Sequence, residues 1–193
     1  MKIVLPYAIE EEKIEIKIPS AELIYVATGM GKVRAAMRTM RAIYEHKPDM
    51  VINFGTAGTI KHQVGDVCVC NRFIDRDLQK VVLDGVVSEI QFPIEEILSK
   101  DILKANKSKK YTHIKSILQG GICNTGDSFI TQGSDIDGDV VDMEAYGVAD
   151  VCREMGIPFL SVKYITDVIG QNSWQDWYAK IADARKGLAE FFE

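Results

Sequence analysis

Two carboxylates in this sequence stand where acid–base chemistry is done. Glu144, in Val141-Asp142-Met143-Glu144, sits where an apolar strand turns into a helix, beside the unpaired amides of a helix N-terminus. Asp167, in Lys163-Tyr164-Ile165-Thr166-Asp167, follows the most apolar strand of the chain. Each also has an ordinary structural use. Charge in a first helical turn contributes only about 0.3–1 kcal/mol, and Asp commonly caps a turn. If the two strands share a sheet, the side chains can converge on one pocket. Partial burial there raises a carboxyl pKa and suits it to act as a general acid. A third strand, Met50–Phe54, runs into Gly55-Thr56-Ala57-Gly58. Glycines there let the backbone approach a ligand closely, and Thr56 adds a hydroxyl, although the same run also makes a tight turn. Thr28-Gly29-Met30-Gly31-Lys32 has half the pattern of a phosphate loop. Its first glycine is missing, and Val33 stands where a magnesium-holding Ser or Thr is needed, which argues against a Walker-type site.

Other chemistries fit less well. The three histidines, His46, His62 and His113, are scattered. Cys68 and Cys70 share one face of a strand, a spacing too tight for the usual metal pairs, and with Cys123 and Cys152 they read as buried free thiols of a reducing compartment. No metal site and no cofactor is expected. A net charge of −5 argues against a partner bound through its phosphates, so no nucleic acid is expected. No signal peptide or membrane-length apolar run is evident, which points to a cytoplasmic protein.

These residues need a scaffold to position them, and the sequence alternates strand and helix patterns. Lys2–Leu5, Glu22–Ala27, Met50–Phe54, Asp66–Cys70, Val81–Val87, Ile114–Ile122, Val140–Met143 and Pro158–Ile165 read as strands. Gly31–His46, Ile94–Lys104, Glu144–Met155 and Trp174–Phe192 read as helices, the first with Val33, Ala36, Met37, Met40 and Ile43 as its apolar face. No linker or repeat divides the 193 residues. The expectation is one α/β domain over 1–193, a three-layer α/β/α arrangement with a mixed, mostly parallel central sheet and its ligand at the carboxyl ends of the strands.

The chain resembles the nucleoside phosphorylase/nucleosidase superfamily, and within it the 5′-methylthioadenosine/S-adenosylhomocysteine nucleosidases. The resemblance runs in order over almost the whole length. It takes in Glu10-Glu11-Glu12, Gly29-Met30-Gly31-Lys32-Val33, Asn53-Phe54-Gly55-Thr56-Ala57-Gly58, Val64-Gly65-Asp66, Thr125-Gly126-Asp127-Ser128-Phe129-Ile130, Val141-Asp142-Met143-Glu144-Ala145 and Ile165-Thr166-Asp167. It implies hydrolysis of the N-glycosidic bond of a purine nucleoside through an oxocarbenium-like sugar, with release of adenine. Asp167 matches the acid that protonates N7 of the leaving base. Phe129 matches the aromatic stacked on that base, and Ile130 the residue whose backbone pairs with it. Met143 and Glu144 match the ribose contacts, Thr56 the hydroxyl near the attacking water, and Glu12 the carboxylate that orients or activates that water. The family habit also implies a homodimer, with Gly31–His46 and Gly58–Val64 contributing to the interface.

The sequence departs from this pattern in three places. Lys13–Ala21 replaces a family helix and part of a hairpin, and its alternating Lys13–Ile18 reads as strand, which opens the question of whether Glu12, Thr56, Glu10 or Glu11 positions the water. Lys163 stands where the family often has arginine. The segment after Asp167 is short, with Trp174, Trp177 and Tyr178 as a pocket lid. A phosphorylase using phosphate as nucleophile is the alternative enzyme, and a non-catalytic nucleoside-binding module the alternative of another class. Phosphate would require convergent cations, for which no motif is evident.

Overall fold

The structure, a computed structural model, describes residues 1–94, 120–132, 136–170 and 173–192. Its centre is an eight-stranded mixed sheet of β1 (Lys2–Tyr7), β2 (Glu22–Ala27), β3 (Met50–Thr59), β4 (Val67–Asp75), β5 (Glu89–Gln91), β6 (Gly121–Thr125), β7 (Val140–Asp142) and β8 (Phe159–Val168). β3 pairs with β8, β8 with β4, β4 with β6, β6 with β7, and β7 returns to β3, so five strands close a ring. β1 and then β2 extend the sheet from β3, and β5 extends it from β4. The expected mixed, mostly parallel sheet is present, and its closure had no signal in the sequence. Closure matters because it gathers the ends of β3, β7 and β8 around one opening.

Three helices flank the sheet among the described residues: α1 (Lys32–His46), α2 (Ala145–Glu154) and α3 (Ser173–Phe192). The core is aliphatic and aromatic, with Leu5, Ile52, Phe54, Phe73, Phe159, Leu160 and Ile165 each at 0% exposure. Runs such as Phe159–Ile165 are buried on both faces, as expected for strands sandwiched between helices. No helix of the described residues is long and apolar enough to cross a membrane. Cys68 and Cys70 lie on one face of β4 with their sulfurs 3.8 Å apart, and all four cysteines are buried.

Several sequence expectations shift. α1 buries Ala35, Thr39, Ala42 and Ile43, while Val33 and Met37 are 76% and 61% exposed. The buried stripe is the small one because α1 and α2 approach closely: a Cβ at Gly147 would lie 2.5 Å from the Lys32 carbonyl. Lys13–Ile18 is extended but pairs with no strand. Ile14, Ile16 and Ile18 are buried, and the Ile16 amide donates to the Tyr25 hydroxyl at 3.0 Å. The alternation recorded burial on one side rather than membership of the sheet. Val81–Val87 is an irregular segment with a turn at Asp84-Gly85, and the strand follows it as β5. β6 begins at Gly121 and runs to Thr125, past the expected end at Ile122. The expected helix Ile94–Lys104, past its first residue, and positions 114–119 lie outside the described residues.

Candidate active site

A cleft of about 900 Å³, counting its open mouth, lies at the carboxyl ends of β1, β3, β7 and β8. Its size is that of an ordinary small-molecule site. All seven residues singled out in the sequence line it: Glu12, Thr56, Phe129, Ile130, Met143, Glu144 and Asp167. Trp174 and Trp177 line it too. Tyr178 does not; it is 73% exposed on the outer side of α3.

The structure distinguishes among the three consecutive glutamates. They form a single 3-10 turn after β1. Glu10 accepts a hydrogen bond from the Tyr7 hydroxyl, Glu11 is exposed, and Glu12 is buried. The Glu12 Oε1 accepts from the Thr56 amide at 2.8 Å and from the Thr56 hydroxyl at 2.6 Å. The short turn therefore delivers Glu12 to the cleft without the family's helix.

The glycines of the Gly55–Gly58 run make room for protein carboxylates. A Cβ at Gly55 would sit 3.2–3.4 Å from the Glu12 carboxylate, and one at Gly58 would sit 3.0 Å from Asp167 Oδ2. Gly55 and Gly58 of β3 thus make room for one acid each. A register shift in the β3–β8 pairing leaves Thr166 as an extra residue. A bulge re-aims the side chains beyond it, and Asp167 turns into the cleft, held by the Thr166 hydroxyl at 2.9 Å. Burial pushes the Asp167 carboxyl up from its ordinary range. The hydroxyls of Thr166 and Ser173 oppose this, and the charge of Asp176 adds to it. A raised pKa favours the protonated form, which is the form a general acid needs.

Glu144 is held by the half phosphate-loop pattern. The Gly31 amide donates to Glu144 Oε1 at 2.9 Å, and the next amide, Lys32, donates to Asp127 at 2.7 Å. The amides that would cradle a phosphate here are engaged by the protein's own carboxylates. Beneath Glu144 lies a fully buried ion pair, Lys163 Nζ to Asp142 Oδ2 at 2.8 Å, with Asp142 also accepting from Thr125 and the Ala145 amide. Lys163 holds Asp142 below the usual carboxylate range against the cost of its burial. Burial, then the Asp142 charge, pushes Glu144 up to about 8, with Lys163 and the Gly31 amide pulling the other way.

The Glu144 shift has a measurable sign. Between the ordinary glutamate range and pH about 8 the free protein keeps a proton on Glu144. Ribose hydroxyls that donate to this carboxylate favour its ionised form. Binding of a carbon-linked nucleoside analogue is therefore expected to release a proton near pH 6.5 and none well above 8, with affinity rising over that window. Calorimetry in buffers of different ionisation enthalpy checks this, with Glu144→Gln as the control that removes the release.

Trp174 and Trp177, expected as a lid, do line the cleft, but the bonds made by Arg76 and by the Trp177 indole carried no signal in the sequence. Arg76, just after β4, donates to Asn124 Oδ1 at 2.9 Å and to the Ser128 carbonyl at 3.1 Å, which fixes the loop presenting Phe129 and Ile130. A Cβ at Gly126 would lie 2.5 Å from that guanidinium. Phe129, Trp174 and Trp177 form an aromatic wall with centroids 5.2–6.4 Å apart. The Trp177 indole N–H donates to the Thr56 hydroxyl at 2.9 Å. The Arg76 and Trp177 hydrogen bonds join segments far apart in the chain, and no local pattern marks them.

The family model described as the Phosphorylase superfamily matches residues 11–192, and the chain belongs to that superfamily. Two curated relatives belong to one group of enzymes. The 5′-methylthioadenosine/S-adenosylhomocysteine nucleosidase of Bacillus cereus (strain B4264) is 30% identical over 167 residues, 79% of this chain and 71% of that protein. The enzyme of the same name from Marinomonas sp. (strain MWYL1) is 28% identical over 182 residues, 86% of this chain and 78% of that protein. The fold is that of the S-adenosylhomocysteine nucleosidase of Streptococcus pyogenes, with TM-score 0.79 at 24% identity over 99% of this chain and 94% of that one. The futalosine hydrolase of Helicobacter pylori is similar in fold as well, with TM-score 0.78 at 18% identity over 98% of this chain and 94% of that one.

Proposed function

We propose that this chain is an N-glycosyl hydrolase that cleaves a 5′-substituted adenine nucleoside of the methylthioadenosine/S-adenosylhomocysteine kind into adenine and the free sugar. The observation that carries the reading is the cleft's charge. Its lining holds Glu12, Asp142, Glu144 and Asp167 and, among the described residues, no Lys, Arg or His. A phosphate dianion would meet several carboxylates and no lining cation, whereas water and a sugar gaining positive charge suit such a site. This favours hydrolysis over phosphorolysis. The paired Asp167 and Glu12 favour an enzyme over a binding module.

In the mechanism, Phe129 and Ile130 hold the base, and Asp167 gives its proton to N7 so that adenine leaves neutral. The sugar passes through an oxocarbenium-like state, which Glu144 stabilises through the ribose hydroxyls and Met143 supports from below. Glu12, oriented by Thr56, takes a proton from the water that attacks C1′. Methylthioadenosine, S-adenosylhomocysteine, inosine and uridine, each incubated with and without phosphate, test the reading. Adenine release from the first two, independent of phosphate, supports it. Turnover of uridine but of no purine nucleoside overturns it.

The exposed apolar stripe Val33, Met37 and Tyr44 on α1, with Met30 beside it, supports pairing of two copies through this face. A dimer mass by light scattering at micromolar concentration is the expected result, and a monomer mass contradicts it.

A further inference from the structure

We infer that Trp177 is a positioning residue for the water-activating carboxylate, acting through Thr56, so that seating of α3 and alignment of Glu12 are one event. The inference rests on the hydrolase reading above and adds to it a residue outside the motifs that carry the family resemblance. Its basis is a chain of three groups. The Trp177 Nε1 lies 2.9 Å from the Thr56 hydroxyl oxygen, which lies 2.6 Å from Glu12 Oε1. An indole N–H can only donate. The Thr56 oxygen must therefore accept from it, and its single hydrogen is committed to Glu12. The Thr56 amide donates to the same Oε1 at 2.8 Å. Oε1 is thus engaged twice, and Oε2 accepts from no described residue. Oε2 is then the oxygen left to take the proton of water.

α3 packs on β8 and on the turn that carries Glu12, so it is in place to transmit its own seating. Trp177 also belongs to the aromatic wall, and replacing it tests two roles at once. Trp177→Phe keeps most of the ring and removes the donor. It is expected to lower kcat about 3- to 10-fold, the worth of one neutral hydrogen bond, with KM moved less than about twofold. The decisive comparison is a double-mutant cycle. In a Thr56→Val background the change at Trp177 should cost less than about 1.5-fold. In Thr56→Ser, which keeps the hydroxyl, the penalty should return.

An equal penalty in all three backgrounds, or a loss confined to KM, overturns the role. If Trp177→Phe does not fold, the indole N–H resonance, assigned with Trp174→Phe, carries the test. It should be protected from exchange and should move in both Thr56→Val and Glu12→Gln; a resonance unmoved by either overturns the relay. A parent chain that releases no base from any nucleoside refutes the hydrolase reading itself. A hydrolytic parent with independent penalties refutes only the role of Trp177.

Discussion

Asp167→Asn is expected to slow release of adenine by about 100- to 10,000-fold while nucleoside affinity changes little. Asparagine keeps the size of the side chain. Its carbonyl oxygen can still accept from the Thr166 hydroxyl, and it fits beside Gly58 as aspartate does. What it lacks is a proton to give. An adenine that leaves unprotonated is a poor leaving group, and that is the step Asp167 is proposed to serve. A riboside with a leaving group that needs no protonation, such as 4-nitrophenolate, supplies the control. Asp167→Asn should hydrolyse it nearly as fast as the parent does. Equal loss on both substrates would mean that the aspartate supports the site rather than protonating the base. Full activity on the nucleoside would remove the general acid from the account altogether.

Glu12→Gln is expected to have an effect of the same order, about 100- to 10,000-fold on kcat, but without that selectivity. The glutamine carbonyl can accept both bonds from Thr56, and the amide occupies the place of Oε2 above Gly55. The variant should fold and bind as the parent does. It cannot take a proton from water, so both the nucleoside and the activated riboside should slow. Rates measured side by side on the two substrates separate the acid from the base. Loss on the nucleoside alone for Glu12→Gln would move Glu12 to the departing base and leave the water to Thr56.

Much of the site could be read in the sequence. Asp167 and Glu144 announce themselves as carboxylates at the ends of apolar strands, and an alternating α/β chain brings strand ends together. Glu12 could not be chosen from residue type alone, since three glutamates are consecutive and the following segment departs from the family pattern. The choice falls to a single turn, in which Tyr7 ties back Glu10, Glu11 faces out and Glu12 meets Thr56. The glycines at 55 and 58 mark places of close approach in the sequence, and their neighbours in the structure are carboxylates of the protein itself.

The errors have a common physical source. Periodicity marks which residues share a face, not what that face meets. In α1 a larger apolar stripe containing Val33 and Met37 is turned outward, and a smaller one with Ala35, Thr39 and Ala42 is turned in, because close packing of α2 demands small residues. In Lys13–Ile18 the alternation of isoleucine with charge is real burial without a strand partner. Trp177 illustrates the same limit at the site. Its place on α3 was evident, yet its bond to Thr56 spans 121 positions and depends on the closed ring that brings β3 beside β8 and α3.

Hydrolysis itself is tested most directly by following oxygen. Methylthioadenosine incubated with the protein in ¹⁸O-labelled water, first without phosphate and then with it, should yield adenine and 5-methylthioribose in equal amounts in both cases. Mass spectrometry sampled before sugar exchange should find one ¹⁸O at the anomeric carbon and no sugar phosphate. Unlabelled sugar phosphate, formed only when phosphate is present, would contradict the account and make the protein a phosphorylase.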